Sequence, residues 1–399
     1  MLLTLIILAL VGTTMGGQHR FSSWGLSPYA HTSLGDNVDL STMKILKAAY
    51  NSARDKNIVS SPLSLMILLS LYNLGVDTAI GAEINNFLGG TDVREISSSF
   101  KQLNSMFSDM DPAILSVANK ISVSDQCNLN ETFAAEAREY RSEFDKIDFT
   151  KPEEAAAKIN QWASEKTNGL ITEPVNKDAL TPDMILGLFN VIYFNGHWHV
   201  PFKAEDTVEK DFHVADDCVV KRPMMHLQRS LFYLDSAELG AKLVELPYKE
   251  KGFRMIVVLP NETYGLPSVL DKVVEKGLLT YVFKLKPTRL VELEMPKFEV
   301  RAQIDFNDIL PKVGVSKIFN EPATGIVRNI PVRVSKAFQE AFIKVNEEGA
   351  TAGAFTGMFA VPLSSRYVPP TPVKFIVDHP FLYMILYEDK ILFAGTYTH

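Results

Sequence analysis

His197 and His199 stand two apart, a spacing that puts two imidazoles on one face of a strand, where metal ligands would sit. No third ligand lies near them in sequence, so surface or hydrogen-bonded histidines are the reading. The Met224-Met225 pair reads as core packing rather than as a binding surface. No nucleophile elbow GxSxG occurs, nor HExxH, a P-loop or GxGxxG, so a secreted hydrolase lacks a nucleophile and its base. Cys127 and Cys218 form no CxxC pair. One disulfide and two free thiols both remain open, because a chain this long needs no staple. No cofactor and no metal site is expected. The unusual segment lies toward the C-terminus. Residues 347–372 read EEGATAGAFTGMFAVPLSSRYVPPTP, with no charge between Glu348 and Arg366 and no proline before Pro362. Long exposed loops normally carry polar turn formers. Here Ala350, Ala352, Ala354 and Thr356 put small side chains at alternate positions, as one face of a strand entering a sheet requires. A small-residue linker is the other reading.

The elements that would position this tract divide along the chain. Residues 39–50 carry Met43, Ile45, Leu46 and Tyr50 on a helical stripe. Ser61-Pro62 makes an N-cap and first-turn pair, and the helix predicted at 63–74 is apolar on nearly every face, as a helix in the centre of a large protein is. Further, more polar helices are predicted at 131–143 and 153–166. In the second half, Val291, Leu293 and Met295 alternate with Glu292 and Glu294 as in a half-buried strand. Residues 255–259 are continuously apolar, and residues 381–386 and 391–393 flank a polar turn as a C-terminal hairpin. Helices first and strands later, mostly joined by hairpins, indicate an α+β fold with large sheets.

The chain has 399 residues, 46% hydrophobic and 22% charged, enough for one large domain. Its net charge of −7 argues against nucleic acid or an anionic membrane as the main partner. The apolar run from Leu2 to Val11, followed by the small residues Thr14 and Gly16, reads as a signal peptide over 1–16, and hence as export. A buried first helix is the alternative. Residues 17–35 read as a flexible extension and 36–399 as one domain. Asn130-Glu131-Thr132 and Asn261-Glu262-Thr263 are sequons that fit export, Asn130 and Asn261 being the acceptors.

From about residue 36 the chain resembles the serpin family. The carriers are Val345-Asn346-Glu347-Glu348-Gly349 with the small residues after it, Asn57 to Ser64, Asn190 to Trp198, Pro201-Phe202, Asp211 to Val214, Pro223-Met224-Met225, Glu245 to Tyr248, Asp378 to Phe381 and Leu392 to Gly395, all in family order. The resemblance implies a serpin fold with a mobile reactive loop at about 347–372. It implies a hinge at Glu347, Glu348, Gly349, Ala350, Thr351, Ala352, Gly353 and Ala354. It places Ser61, Ser64 and Asn190 in the shutter and Trp198 in the breach. Gln339 stands where many members have histidine, which removes a histidine-linked pH dependence and looks more like arthropod members. The family's hinge-to-bond spacing, counted from Glu347, puts the reactive bond at Leu363-Ser364, with Arg366 as alternative bait.

The implied function is suicide inhibition of an extracellular serine protease of chymotrypsin fold. The target would be chymotrypsin- or elastase-like for Leu363 and trypsin-like for Arg366, in an innate-immune or clotting-type cascade. A non-inhibitory serpin scaffold for storage, transport or chaperoning is the alternative. Such relatives carry bulky or charged hinges, whereas the residues from Ala350 to Ala354 are small. A monomer is expected. Heparin activation is not, since residues 93–107 offer only Arg94 and Lys101.

Overall fold

A computed structural model describes residues 33–54, 56–328, 330–349 and 371–399. The first helix, α1 (Ser33–Ser52), leads into the short strand β1 (Ile58–Ser60) and then α2 (Pro62–Tyr72). Helix α2 starts as the sequence predicts: Ser61 caps it through the backbone N–H of Ser64, and Pro62 occupies the first turn. All of its residues are buried, so it is the axle of the core rather than a surface helix. Next come α3 (Thr78–Leu88), α4 (Val93–Ser108), β2 (Leu115–Ser124), α5 (Glu131–Glu139), β3 (Glu143–Ile147), α6 (Pro152–Lys166) and β4 (Leu186–Phe194). The helix predicted at 131–143 therefore stops at Glu139. Arg141 takes a positive φ, and the chain turns there into β3.

The second half holds β5 (Val208–Ala215), β6 (Cys218–Ser236), β7 (Ala241–Pro247), β8 (Phe253–Pro260), α7 (Leu266–Lys276), α8 (Leu279–Val282), β9 (Lys286–Pro296), β10 (Phe298–Asp305), α9 (Phe306–Lys312), α10 (Lys317–Asn320), β11 (Lys336–Val345), β12 (Val373–Ile376), β13 (Phe381–Tyr387) and β14 (Lys390–Tyr397). The C-terminal hairpin forms as expected. Strand β9 buries Val291, Leu293 and Met295, but Glu294 on its other face is also buried, which period-two alternation does not anticipate.

Among the described residues these strands make two sheets. Nine strands follow the order β1-β14-β13-β8-β7-β6-β9-β12, with β5 paired to β6, and five follow β10-β11-β4-β2-β3. Hairpins are not the whole connectivity, because β11 and β4, β2 and β3, and β12 and β9 pair in parallel. The main core fills the space around α2 and the inner sheet faces. A second core lies between α6, the strap of chain that follows it, and the outer face of the five-stranded sheet.

Candidate functional site

The seam between β4 and β11 organises the site. The two strands run parallel with Gln339 directly opposite Asn190, while their outer neighbours β2 and β10 are antiparallel to them. On the inner face, Gln339 and Asn190 point toward the start of α2, and both are fully buried. The Gln339 amide oxygen accepts from the Ser60 hydroxyl at 2.8 Å and from the Ser61 N–H at 2.7 Å. Its NH₂ donates to the Ser61 carbonyl at 2.9 Å and to Asn190 Oδ1 at 2.6 Å. Asn190 in turn donates to Ser64 Oγ at 2.5 Å, Asn119 Oδ1 at 2.8 Å and the Ala118 carbonyl at 3.2 Å. One neutral network thus ties both seam strands to β2 and to the cap of α2. A buried polar group left unpaired costs about 1–3 kcal/mol, so the cluster holds the seam at this register.

Where β11 ends, the chain turns back across the top of the seam. The ladder between β11 and β4 stops at Phe342 and Tyr193, although β11 runs on to Val345. Above that point three consecutive carbonyls are held by one short stretch. Trp198 Nε1 donates to the Asn346 carbonyl at 2.8 Å, the Phe202 N–H to Glu347 O at 2.7 Å, and the Trp198 N–H to Glu348 O at 3.0 Å. Trp198 is itself stacked on Tyr248, ring centroids 4.5 Å apart. The Glu347 carboxylate accepts from Thr207 Oγ1 at 3.0 Å and pairs with Lys297 Nζ at 2.9 Å. Burial pushes its pKa up, but Lys297, the local backbone N–H and Thr207 together outweigh burial and hold it below the ordinary carboxylate value. Gly349 has φ +107°, and a Cβ there would lie 2.3 Å from the Gly196 carbonyl oxygen, so only glycine lets the turn lie against that backbone.

On the outer face Phe338 and Phe189 touch across the seam with centroids 5.0 Å apart. Glu340 lies beside them, also buried. Burial raises its pKa to about 7 despite the nearby Arg301 guanidinium and the Gln303 amide. Arg301 and Gln303 donate to the Leu170 and Pro174 carbonyls, fastening the strap over the sheet.

Of the residues singled out from sequence, Ser61, Ser64, Asn190 and Gln339 meet in one network, while Trp198 bonds the Asn346 and Glu348 carbonyls on either side of Glu347 and lies against Gly349. Ala350 to Ala354, Leu363, Ser364 and Arg366 lie outside the described residues, as do residues 1–32. Asn130 is half-buried and caps α5, accepting from the Thr132 N–H at 3.0 Å, while Asn261 is exposed. His197 bonds Glu250 at 2.8 Å rather than facing His199 across a ligand set. Met224 and Met225 are buried, and Cys127 and Cys218 are unpaired, the first buried and the second exposed. Lys101 lies 2.6 Å from both Glu136 and Glu139. Sequence reasoning missed Asn119, Thr207, Lys297 and Glu340. Asn119 and Glu340 left a signal, each a polar residue in an otherwise apolar strand. Lys297 and Thr207 left none.

Among the described residues no helix is long and apolar enough to cross a membrane. The model of the family described as Serpin (serine protease inhibitor) matches residues 37–399. Antitrypsin of Bombyx mori is 33% identical over 91% of this chain and 93% of its own length. Alaserpin of Manduca sexta is 30% identical with the same coverage. The crystal structure of Serpin48, a highly specific serpin of Tenebrio molitor, superposes with a TM-score of 0.80 at 31% identity, covering 92% of this chain and 98% of that one.

Proposed function

We propose, from the premise that this chain belongs to the serpin family, that it is a secreted inhibitor that traps serine proteases as a suicide substrate. Residues 1–16 are then the export signal, 17–35 an extension, and Asn130 and Asn261 glycan acceptors. The observation that carries the proposal is the parallel seam between β4 and β11, with Asn346 to Gly349 folded over its open end. Once cut, the segment that follows Gly349 would enter that seam. A strand entering there would run antiparallel to both neighbours and replace one parallel ladder by two antiparallel ones, the slightly more stable pairing.

The protease attacks the loop at Leu363-Ser364 and becomes an acyl-enzyme. The freed segment then enters the seam, with Ala350, Ala352, Ala354 and Thr356 on one face. Residues 350–363, at about 3.3 Å each, carry the attached protease on the order of 45 Å, which distorts its active site before deacylation. Trp198 and the Lys297–Glu347 pair hold the entry point. The network of Gln339, Asn190, Ser61 and Ser64 must loosen as the strand passes.

The test is incubation with chymotrypsin-, elastase- and trypsin-like proteases, read by gel and by mass spectrometry. A complex that survives SDS, with a released C-terminal peptide beginning at Ser364, is the expected result. A peptide beginning at Tyr367 moves the bait to Arg366. Cleavage by all three without any stable complex overturns inhibition and leaves a carrier scaffold.

A further inference from the structure

The nine-stranded sheet brings three ligand-bearing side chains together from strands distant in sequence. On its outer face His226 of β6 lies directly opposite Glu294 of β9, and Glu292 stands two residues along on the same face. One donor atom from each lies within 4.8 Å of the others, and His226 Nε2 is 3.9 Å from Glu292 Oε1. The Glu294 side chain is only 11% exposed and already holds a cation, the Lys210 ammonium at 2.6 Å. We propose that His226, Glu292 and Glu294 form a binding site for a divalent transition-metal cation of the zinc class.

The donor set decides the class. Two carboxylates alone would suit a hard ion, but an imidazole nitrogen favours zinc, cobalt or nickel over calcium and magnesium. Zinc bonds of about 2.0–2.1 Å space tetrahedral ligands roughly 3.3 Å apart, so the group must close by up to about 1.5 Å. Glu294 is the fixed anchor. His226 and Glu292, at 34% and 29% side-chain exposure, have the freedom to turn inward. The open side faces solvent and leaves a position for water. Lys210 is a built-in competitor, because a metal on Glu294 must displace its ammonium. Spacing puts Glu292 and Glu294 on one face, but only strand register brings His226 to them.

The experiment titrates the full chain with Zn²⁺ by calorimetry, in buffer free of chelator, against three variants. His226→Ala and Glu292→Gln are each expected to weaken binding by about tenfold or more. Lys210→Met is expected to tighten it, since the competing charge is gone. Metal-free melting curves of all four proteins check that the fold is unchanged. If the wild-type chain takes up no Zn²⁺, or if His226→Ala and Glu292→Gln bind it as the wild type does, the site does not exist. Lys210→Met binding no tighter than wild type overturns Glu294 as a ligand.

Discussion

Glu340 places its carboxyl where charge is costly, between Phe338 and Phe342 beneath the strap that follows α6. Its pKa of about 7 in the fold, against roughly 4.3 for an unhindered glutamate, means that the native protein keeps a proton the unfolded chain has already released. Its contribution to stability is therefore full below about pH 4 and is lost as pH rises to about 7, at roughly 1.4 kcal/mol per unit. Over the window this amounts to on the order of 3 kcal/mol. Glu340→Gln is expected to abolish that loss, so that it matches the wild type near pH 4.5 and is more stable at pH 8. Denaturation midpoints at the two pH values check it, and identical pH slopes would refute the assignment. Gln339 carries no titratable proton, and its worth lies in the four hydrogen bonds that join β11 to β4 and α2. Gln339→Ala strands buried partners on Ser61 and Asn190 and should destabilise the native state by about 2–4 kcal/mol, read from the same midpoints.

Elements differ in how far sequence reveals them. Helix α2 was legible because its cap, its proline and its unbroken apolar surface are all local signals. The β13–β14 hairpin was legible because its polar turn is local too. The overrun at the end of α5 came from Arg141, whose positive φ no propensity marks. The parallel pairing of β4 with β11 was out of reach for a different reason. Register between strands far apart in sequence depends on which faces the core selects, not on periodicity within either strand. Ser61, Ser64, Asn190, Gln339, Trp198 and Glu347 were singled out through family resemblance rather than local pattern. The Thr207 and Lys297 partners of Glu347 were not, because they arrive from separate elements.

Where the inserting strand has a register, Ala350 stands first on its small face. Ala350→Arg puts a charge where a methyl group should pass, at a cost of several kcal/mol unless the side chain stays outside. The variant is expected to be cleaved as a substrate with little SDS-stable complex. An unchanged inhibition stoichiometry would show that Ala350 does not enter the sheet.

At the scale of the whole molecule the proposal demands that the intact fold be the less stable one. The five-stranded sheet carries a parallel seam whose ladder ends early, a buried polar network beneath it and a buried carboxyl above it. The early-ending parallel ladder and the buried carboxyl fall short of a sheet's most stable form and explain why the seam would accept another strand, while the polar network is what holds it shut. About a dozen new ladder hydrogen bonds would contribute on the order of 10 kcal/mol, but ordering as many residues costs about the same, so the surplus must come from strain released by the intact fold. At about 2 °C per kcal/mol for a large domain, each kcal/mol of strain released on cleavage in the loop should raise the melting temperature by about that much. The intact protein then survives through a kinetic barrier rather than an equilibrium. Thermal melts of intact and singly nicked protein, followed by circular dichroism, decide the matter. A nicked sample that melts where the intact one does has an ordinary surface loop, and the seam between β4 and β11 is then its resting structure and not a gate.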